Sequence, residues 1–349
     1  MTNRPRHFIW ASGQLDNIGD SLLRRPYIEA VAPEKGDACV WTRDADAHFL
    51  SGMGLTENDR VERSYSRWYW AAAGAALRGK ATIALNAGEV PVSRSGALRL
   101  ASLTLLGGLA RIRGGRLLWL GVGIPPTESL LSAPYKSAAR IATHVWARDP
   151  DTQRLLVGSE LVPDWAFSLG TPTDEWDASN RQLLVVSLRG DRNLPADDWL
   201  DWIRKQASDH ELEIVTVSQV ARDNERTAEL ATRLSGKLIL FEGRDHAEHE
   251  SVVRDVYGRS KFVVSDRLHG LIVAASEGAI PIGWVPTSKG KVRRHFDGAG
   301  MPWVGKYEGI PAPELPELVS APTQEYLASS IGAARDRIAS QAASLTLVR

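Results

Sequence analysis

The sequence predicts an α/β protein built from two domains, each a parallel sheet wound with helices on both faces, and three observations predict it. Short apolar runs alternate with helix-period stretches from end to end, the pattern of β–α units whose strands are covered on both faces. At 349 residues the chain is long for one core and comfortable for two. Midway, Gly170-Thr-Pro-Thr-Asp-Glu-Trp-Asp-Ala-Ser-Asn180 is polar and turn-rich with no apolar period, the best domain boundary in the chain. Two doubly wound domains are then expected to face each other across a cleft, with ligands beyond the carboxyl ends of the strands.

The elements follow in order. Strands are expected at Phe8–Trp10, Ala38–Trp41, Thr82–Asn86, Leu117–Val122 and His144–Ala147, with helices at Ser21–Ala30, Ser95–Arg111 and Pro150–Val157. In the second half the strands are Leu183–Leu188, Leu212–Val217, Leu238–Phe241, Phe262–Ser265 and Ile280–Val285. Helices alternate with them at Asp197–Ala207, Asn224–Leu234, Glu248–Tyr257, Arg267–Ser276 and Val292–Ala299. Thr323–Leu345 has helical spacing and is expected to pack back on the domains. The domains are accordingly 1–172, 173–310 and a C-terminal helical segment 311–349.

Charge and cysteine content exclude several classes. Lys+Arg and Asp+Glu both number 42, so no net field draws in nucleic acid or an anionic membrane, and anion selectivity must come from local clustering. Cys39 is the single cysteine, which rules out an intrachain disulfide and a Cys-cluster metal site. The polar Met1–His7 lacks the apolar core of a signal peptide, and the apolar run between Arg99 and Arg111 is too short to span a bilayer. A soluble, cytoplasmic protein is expected, at most peripheral to the inner face of a membrane.

Phe262-Val-Val-Ser-Asp-Arg-Leu-His-Gly270 carries the most chemical information. A buried strand passes straight into a helix, with Ser265 or Asp266 as the expected cap. Such a junction aims backbone N–H groups and the positive helix end outward, and Arg267 and His269 add a permanent cation and a titratable donor. Two readings stay open for the segment: a pocket for a small phosphorylated anion, or an ordinary turn whose Arg pairs with a carboxylate and whose His is satisfied in the core.

Other strand ends bear on that choice. Ala11-Ser-Gly-Gln-Leu-Asp-Asn-Ile-Gly-Asp20 offers Gly13 and Gly19 for close backbone approach and Asp16, Asn17 and Asp20 for hydrogen bonding ahead of a helix. Asn86–Pro91 and Gly121-Val-Gly-Ile-Pro-Pro126 read as Gly/Pro loops after strands; neither fits a dinucleotide fingerprint, and no P-loop is present. Arg148 and Arg189 follow strand runs and join Arg267 as candidate anion ligands. The basic stretch Lys289–His295, with Lys291, is a candidate for a second phosphate group. His246 and His249 sit three apart among acids, a spacing only loosely ligand-like, so no metal site is expected. Of the twelve tryptophans, Trp165 or Trp284 is a candidate to stack on a sugar ring. No Gly-x-Ser-x-Gly elbow or His-Glu-x-x-His helix appears.

Taken together, these pieces resemble the polysaccharide pyruvyl transferase family. In family order they are Asn17-Ile-Gly-Asp20, Gly121–Pro126, Ala147-Arg-Asp149, Val162-Pro-Asp-Trp-Ala-Phe-Ser-Leu169, Ser187-Leu-Arg189 and Ser265-Asp-Arg-Leu-His-Gly270, with Pro281-Ile282 after them. The resemblance implies two Rossmann-like domains in a glycosyltransferase-B-like arrangement with the site in the cleft. It implies transfer of a pyruvyl group from phosphoenolpyruvate onto two hydroxyls of one sugar, in cell-surface polysaccharide or glycolipid biosynthesis. Arg267 and His269 would belong to the donor pocket, with Arg189 and Ser265 beside them and Lys291 as a further cation. Asp16, Asn17, Gly19 and Arg148 would line the acceptor side. His269 is the expected proton donor and Asp16, over Asp20, the expected base. No cofactor or metal is called for. The acceptor would be a nucleotide- or lipid-linked saccharide or a polymer. The alternatives are a sugar-nucleotide-dependent glycosyltransferase of the same architecture and a non-catalytic saccharide-assembly protein.

Overall fold

The computed structural model describes residues 6–34, 36–127, 129–285, 290–307 and 323–347. Lys289, and residues 311–322 and 348–349 of the expected C-terminal segment, lie outside them. The chain divides into two compact units. One takes the described residues of Met1–Leu15, Asp20–Trp165 and Ile338–Arg349, the other Asp16–Gly19 and Ala166–Arg337. The units thus change over at Trp165/Ala166, where the sequence reading set its boundary after residue 172.

The first unit is a parallel sheet of β1 (His7–Trp10), β2 (Ala38–Trp41), β3 (Arg60–Glu62), β4 (Thr82–Ala84), β5 (Gly88–Glu89), β6 (Arg116–Gly123), β7 (His144–Ala147) and β8 (Glu160–Leu161). The order is β3-β2-β1-β4-β6-β7-β8, with β5 beside β6. Strand order reverses between β1 and β4. β6 is buried along nearly its whole length, as a central parallel strand must be. Trp68 and Ala72 of the helix Tyr65–Arg78, Leu100 and Leu103 of the helix Arg94–Ile112, and Tyr135 of the helix Ala133–Ile141 share one core with Phe8, Leu117 and Trp119. These three helices form one layer on one face of the sheet.

The second unit holds β9 (Leu183–Ser187), β10 (Glu213–Val217), β11 (Lys237–Ile239), β12 (Ser260–Ser265), β13 (Ile280–Val285) and β14 (Val304–Tyr307), all parallel in the order β11-β10-β9-β12-β13-β14. Its core packs Leu184, Val186, Phe262 and Val264 against Trp199 and Ile203 of the helix Asp197–Asp209. Each such apolar side chain contributes about 1.5–3 kcal/mol on burial. Here the order reverses between β9 and β12.

Several expectations needed adjustment. Ser21–Ala30 is two helices, Ile18–Leu22 and Arg24–Val31. The helix Tyr65–Arg78 was not expected, because its alanine-rich run has no contrasting polar face. Gly121-Val-Gly123 lies inside β6, not in a loop after it. A Cβ on Gly121 would meet Trp165 at 2.6 Å, and one on Gly123 would meet Nε of Arg148 at 2.5 Å. Packing requires both glycines.

Candidate functional site

Ser187 ends β9 and Ser265 ends β12, and the two are register partners at the point where the strand order of the second sheet reverses. Arg189 and Arg267 each follow two residues later, so the strand pairing brings both past the carboxyl edge where doubly wound sheets bind ligands. Ser265 Oγ donates to the Ser187 carbonyl at 2.6 Å and accepts from the Arg267 N–H at 3.0 Å. It fixes the turn.

Asp266 does not cap the helix. It accepts from the Arg189 N–H at 2.9 Å and pairs with Arg192 at 2.9 Å. Burial pushes its carboxyl up to about 6, while Arg192 and the Arg189 N–H pull the other way. The helix consequently begins at Leu268, one residue later than expected, with no side-chain cap on its first turn. The first-turn N–H groups of this helix therefore have no acceptor from a capping side chain.

Each arginine is held from one side by a carboxylate. Arg267 donates through Nε and Nη2 to Asp223 at 2.8 and 2.6 Å, and Asp223 also accepts from the Gly190 N–H at 2.8 Å. Arg189 grips Asp191 through Nε and Nη2 at 2.8 and 2.5 Å, which holds that carboxyl down at about 2. Nη1 of Arg189 and Nη1 of Arg267 have no hydrogen-bond partner among the described residues. A hollow lined by Arg189, Arg192, Arg226, Asp266 and Trp284 lies at this edge.

His269 is the second residue of the helix Leu268–Ser276 and is buried. The Asp16–Gly19 segment packs on it. Asn17 pairs antiparallel with Val220, the Ile18 N–H donates to Gln219 O at 3.2 Å, and the Ala221 N–H donates to Asp16 O at 2.8 Å. Asn17 Oδ1 accepts from the Gly19 N–H at 3.0 Å. A Cβ on Gly19 would lie 2.6 Å from the Cβ of His269 and closer still to its Nδ1. Only glycine lets this loop approach the imidazole so closely.

Asp16 forms a two-point ion pair with Arg222 at 2.6 and 2.5 Å. Asp20 belongs to the first unit, where it accepts from the Gln14 N–H at 2.8 Å and pairs with the buried Arg24. Arg148 also lies in the first unit, and the expectation that it lines an acceptor wall meets a fully buried side chain. Its Nη1 donates to Asp164 at 2.6 Å, and Nη2 stands 3.7 Å from Glu89. Lys291 is the first residue of the helix Lys291–Ala299, and its carbonyl lies 2.7 Å from Nδ1 of His295. Of the two tryptophans, Trp165 is core, donating to Leu120 O and packing on Trp146, whereas half-buried Trp284 lines the arginine hollow.

His246 and His249 open a helix whose first turn carries a capping box of Asp245 and Glu248. His249 stacks on Phe241 with ring centroids 4.3 Å apart, and its Nε2 lies 2.6 Å from Ser218 O. Among the described residues, no group of three or more His, Cys, Asp or Glu is placed to hold a metal ion. Arg192, Arg222, Arg226 and Asp223 were missed by the sequence reading. The one available signal was Arg192, three residues after Arg189 in the same strand-end loop.

A family model described as polysaccharide pyruvyl transferase matches residues 15–279, which includes the Asp16–Gly19 segment and the whole β9–β12 edge. The chain belongs to the polysaccharide pyruvyl transferase family. No curated protein matches it by sequence. Solved structures match in fold. HepE (Alr3699) of Anabaena in complex with UDP is similar at 13% identity with TM-score 0.59, over 98% of each chain. The S. aureus MnaA–UDP co-structure is similar at 13% identity with TM-score 0.53, over 96% of this chain and 92% of that one. The lipopolysaccharide outer core galactosyltransferase WaaB in apo form is similar at 8% identity with TM-score 0.53, over 97% and 98%. At these identities the likeness is one of fold: glycosyltransferase-B-type architecture with two Rossmann-like units. The family match covers Arg189, Arg267 and His269 alike.

Proposed function

We propose that the protein transfers pyruvate from phosphoenolpyruvate onto two hydroxyls of one sugar, forming a cyclic ketal and releasing phosphate. The observation that carries this reading is the pair Arg189 and Arg267 on adjacent strand ends, with His269 one residue into an uncapped helix, in a member of the pyruvyl transferase family. Phosphoenolpyruvate carries a carboxylate and a phosphate on neighbouring atoms. Two forked cations and a helix end without a side-chain cap suit that double anion. Asp223 and Asp191 hold the two guanidinium groups in place, so little side-chain freedom remains to be lost on binding.

In this scheme one sugar hydroxyl adds to C2 of the enol, Asp16 takes the hydroxyl proton, and His269 delivers a proton to the CH2 carbon. The C2–O bond to phosphate breaks, and the second hydroxyl adds to C2 and gives up its proton. Sugar diol and phosphoenolpyruvate thereby become ketal and inorganic phosphate. Arg189 and Arg267 stabilise the charge that builds on the departing phosphate. Ser265 shapes the turn, while Asn17 and Gly19 hold the loop that carries Asp16 against His269. We assign Lys291 to the donor side as a further cation and Arg148 to the integrity of the first unit.

The test is phosphate release from phosphoenolpyruvate over a panel of nucleotide-linked, lipid-linked and polymeric sugar acceptors, read with a new ketal methyl signal by NMR. The expected result is both signals with one acceptor class. Turnover of a sugar nucleotide as donor, with none of phosphoenolpyruvate, would replace this reading by a glycosyltransferase.

A further inference from the structure

The layer of three helices on the first sheet is charged and greasy in a way that the electrically neutral chain as a whole is not. From Arg63 to Thr127 the sequence carries nine Lys and Arg but a single acid, Glu89, although the whole chain balances 42 against 42. The helices Tyr65–Arg78, Arg94–Ile112 and Ala133–Ile141, which make up that layer, contain no acidic residue.

The same layer exposes large apolar side chains in register. Leu98, Leu105 and Ile112 recur every seven residues on one helix and are 75%, 74% and 83% exposed. Trp70 and Leu77 share that spacing on its neighbour and are 72% and 58% exposed. Seven residues is close to two turns, so each set lines one stripe. The helices are tied together by Tyr65 to Ser102 at 2.7 Å and by Arg113 Nε to Leu77 O at 3.2 Å. That pairing brings Leu77 level with Ile112 and Trp70 level with Leu105.

Where the stripes end, a hollow is lined by Arg6, Arg78, Lys80 and Arg113, with Ile112 among its walls. Arg6, Lys80 and Arg113 precede the neighbouring strands β1, β4 and β6, so the strand order gathers these cations at the amino edge of the sheet. We propose that this face docks on the surface of an anionic lipid bilayer: Trp70, Leu77, Leu105 and Ile112 enter the headgroup–acyl boundary, and the four-cation hollow takes lipid phosphates. Charge complementarity selects this occupant. An apolar stripe alone would suit a second copy, but apposing two acid-free helix layers would set like charges against each other. A basic face beside exposed Trp and Leu is what interfacial membrane binding requires. No described helix is long and apolar enough to cross a membrane, so the association is peripheral.

The test is co-sedimentation of the full chain with vesicles of phosphatidylcholine alone and with added phosphatidylglycerol, at low and high salt. Binding is expected only with the anionic lipid and should weaken with salt. Replacing Arg78→Glu and Lys80→Glu together should lower partitioning by at least about 25-fold, since each cation near such a surface contributes about five-fold. Trp70→Ser with Leu105→Ser, both at exposed sites, should lower it with circular dichroism unchanged. Equal binding to neutral vesicles, or indifference to all four substitutions, would overturn the proposal. So would absence of vesicle binding, whether the protein is a monomer or a dimer that Leu105→Ser dissociates by light scattering.

Discussion

Replacing Asp223 with Ala should damage the second unit more than any surface change, and the structure sets the size of the effect. Asp223 is buried, accepts two hydrogen bonds from Arg267 and one from the Gly190 N–H, and so ties β9, β10 and β12 together past their carboxyl ends. The Arg267 side chain is only 11% exposed. Removing one partner of a buried ion pair costs about 3–5 kcal/mol, because the remaining charge is left in a poorly solvated place. The Gly190 N–H loses its acceptor as well, so the upper half of that range is expected. Asp223→Asn keeps an acceptor but not the charge, and should cost about 1.5–3 kcal/mol. Urea denaturation followed by circular dichroism measures both. A double-mutant cycle with Arg267→Ala then isolates the pair, with an expected coupling of at least about 2 kcal/mol. Phosphoenolpyruvate binding should weaken in Asp223→Asn even where the protein is folded, because Arg267 is no longer held. If Asp223→Ala lies within about 0.5 kcal/mol of the parent, or the cycle is additive, Asp223 is not what positions Arg267.

Arg267→Ala should weaken donor binding by one to two powers of ten, about 1.5–3 kcal/mol for a lost charge-assisted bond, with only partial rescue by Lys. His269→Gln should bind donor but lose about 10²–10⁴ in single-turnover phosphate release; near-parental turnover would leave His269 a packing residue. Gly19→Ala drives a Cβ into the His269 ring and should cost about 1–3 kcal/mol together with turnover, whereas Gly108→Ala, inside the helix Arg94–Ile112 with nothing within 4 Å, should stabilise by about 0.5–1 kcal/mol and leave turnover unchanged. Acid should destabilise the protein: burial depresses His249 to about 4, so between pH 6.5 and 4 the unfolded chain binds a proton that the folded one refuses, and stability falls as pH falls. Asp266, raised to about 6, acts with the opposite sign between its unfolded value of 3.8 and 6. Denaturation at pH 7 and 5 should therefore show a shallower fall for His249→Leu and a steeper one for Asp266→Asn.

The sequence by itself determined the alternation of strands and helices, and with it the α/β class and parallel sheets, because burial on both faces demands uninterrupted apolar runs such as Leu183–Val186 and Phe262–Val264. It also singled out the Ser265–Gly270 junction, whose local chemistry is written in consecutive residues. Of the two readings left open there, the structure shows the carboxylate partner of Arg267, which is Asp223; the anion pocket is what we propose beside it. The structure alone decided the partners. Asp223 lies 44 positions from Arg267, and Arg222 lies 206 from Asp16, so no local spacing could join them. Strand order gathered Arg189, Arg192, Arg226 and Arg267 at one sheet edge, and it sent Arg148, chosen from sequence by the same strand-end rule, into a buried pair with Asp164. Hydrophobic periodicity is local and survives in the sequence. Which charge meets which is a property of strand order and register, and exists only once the chain has folded.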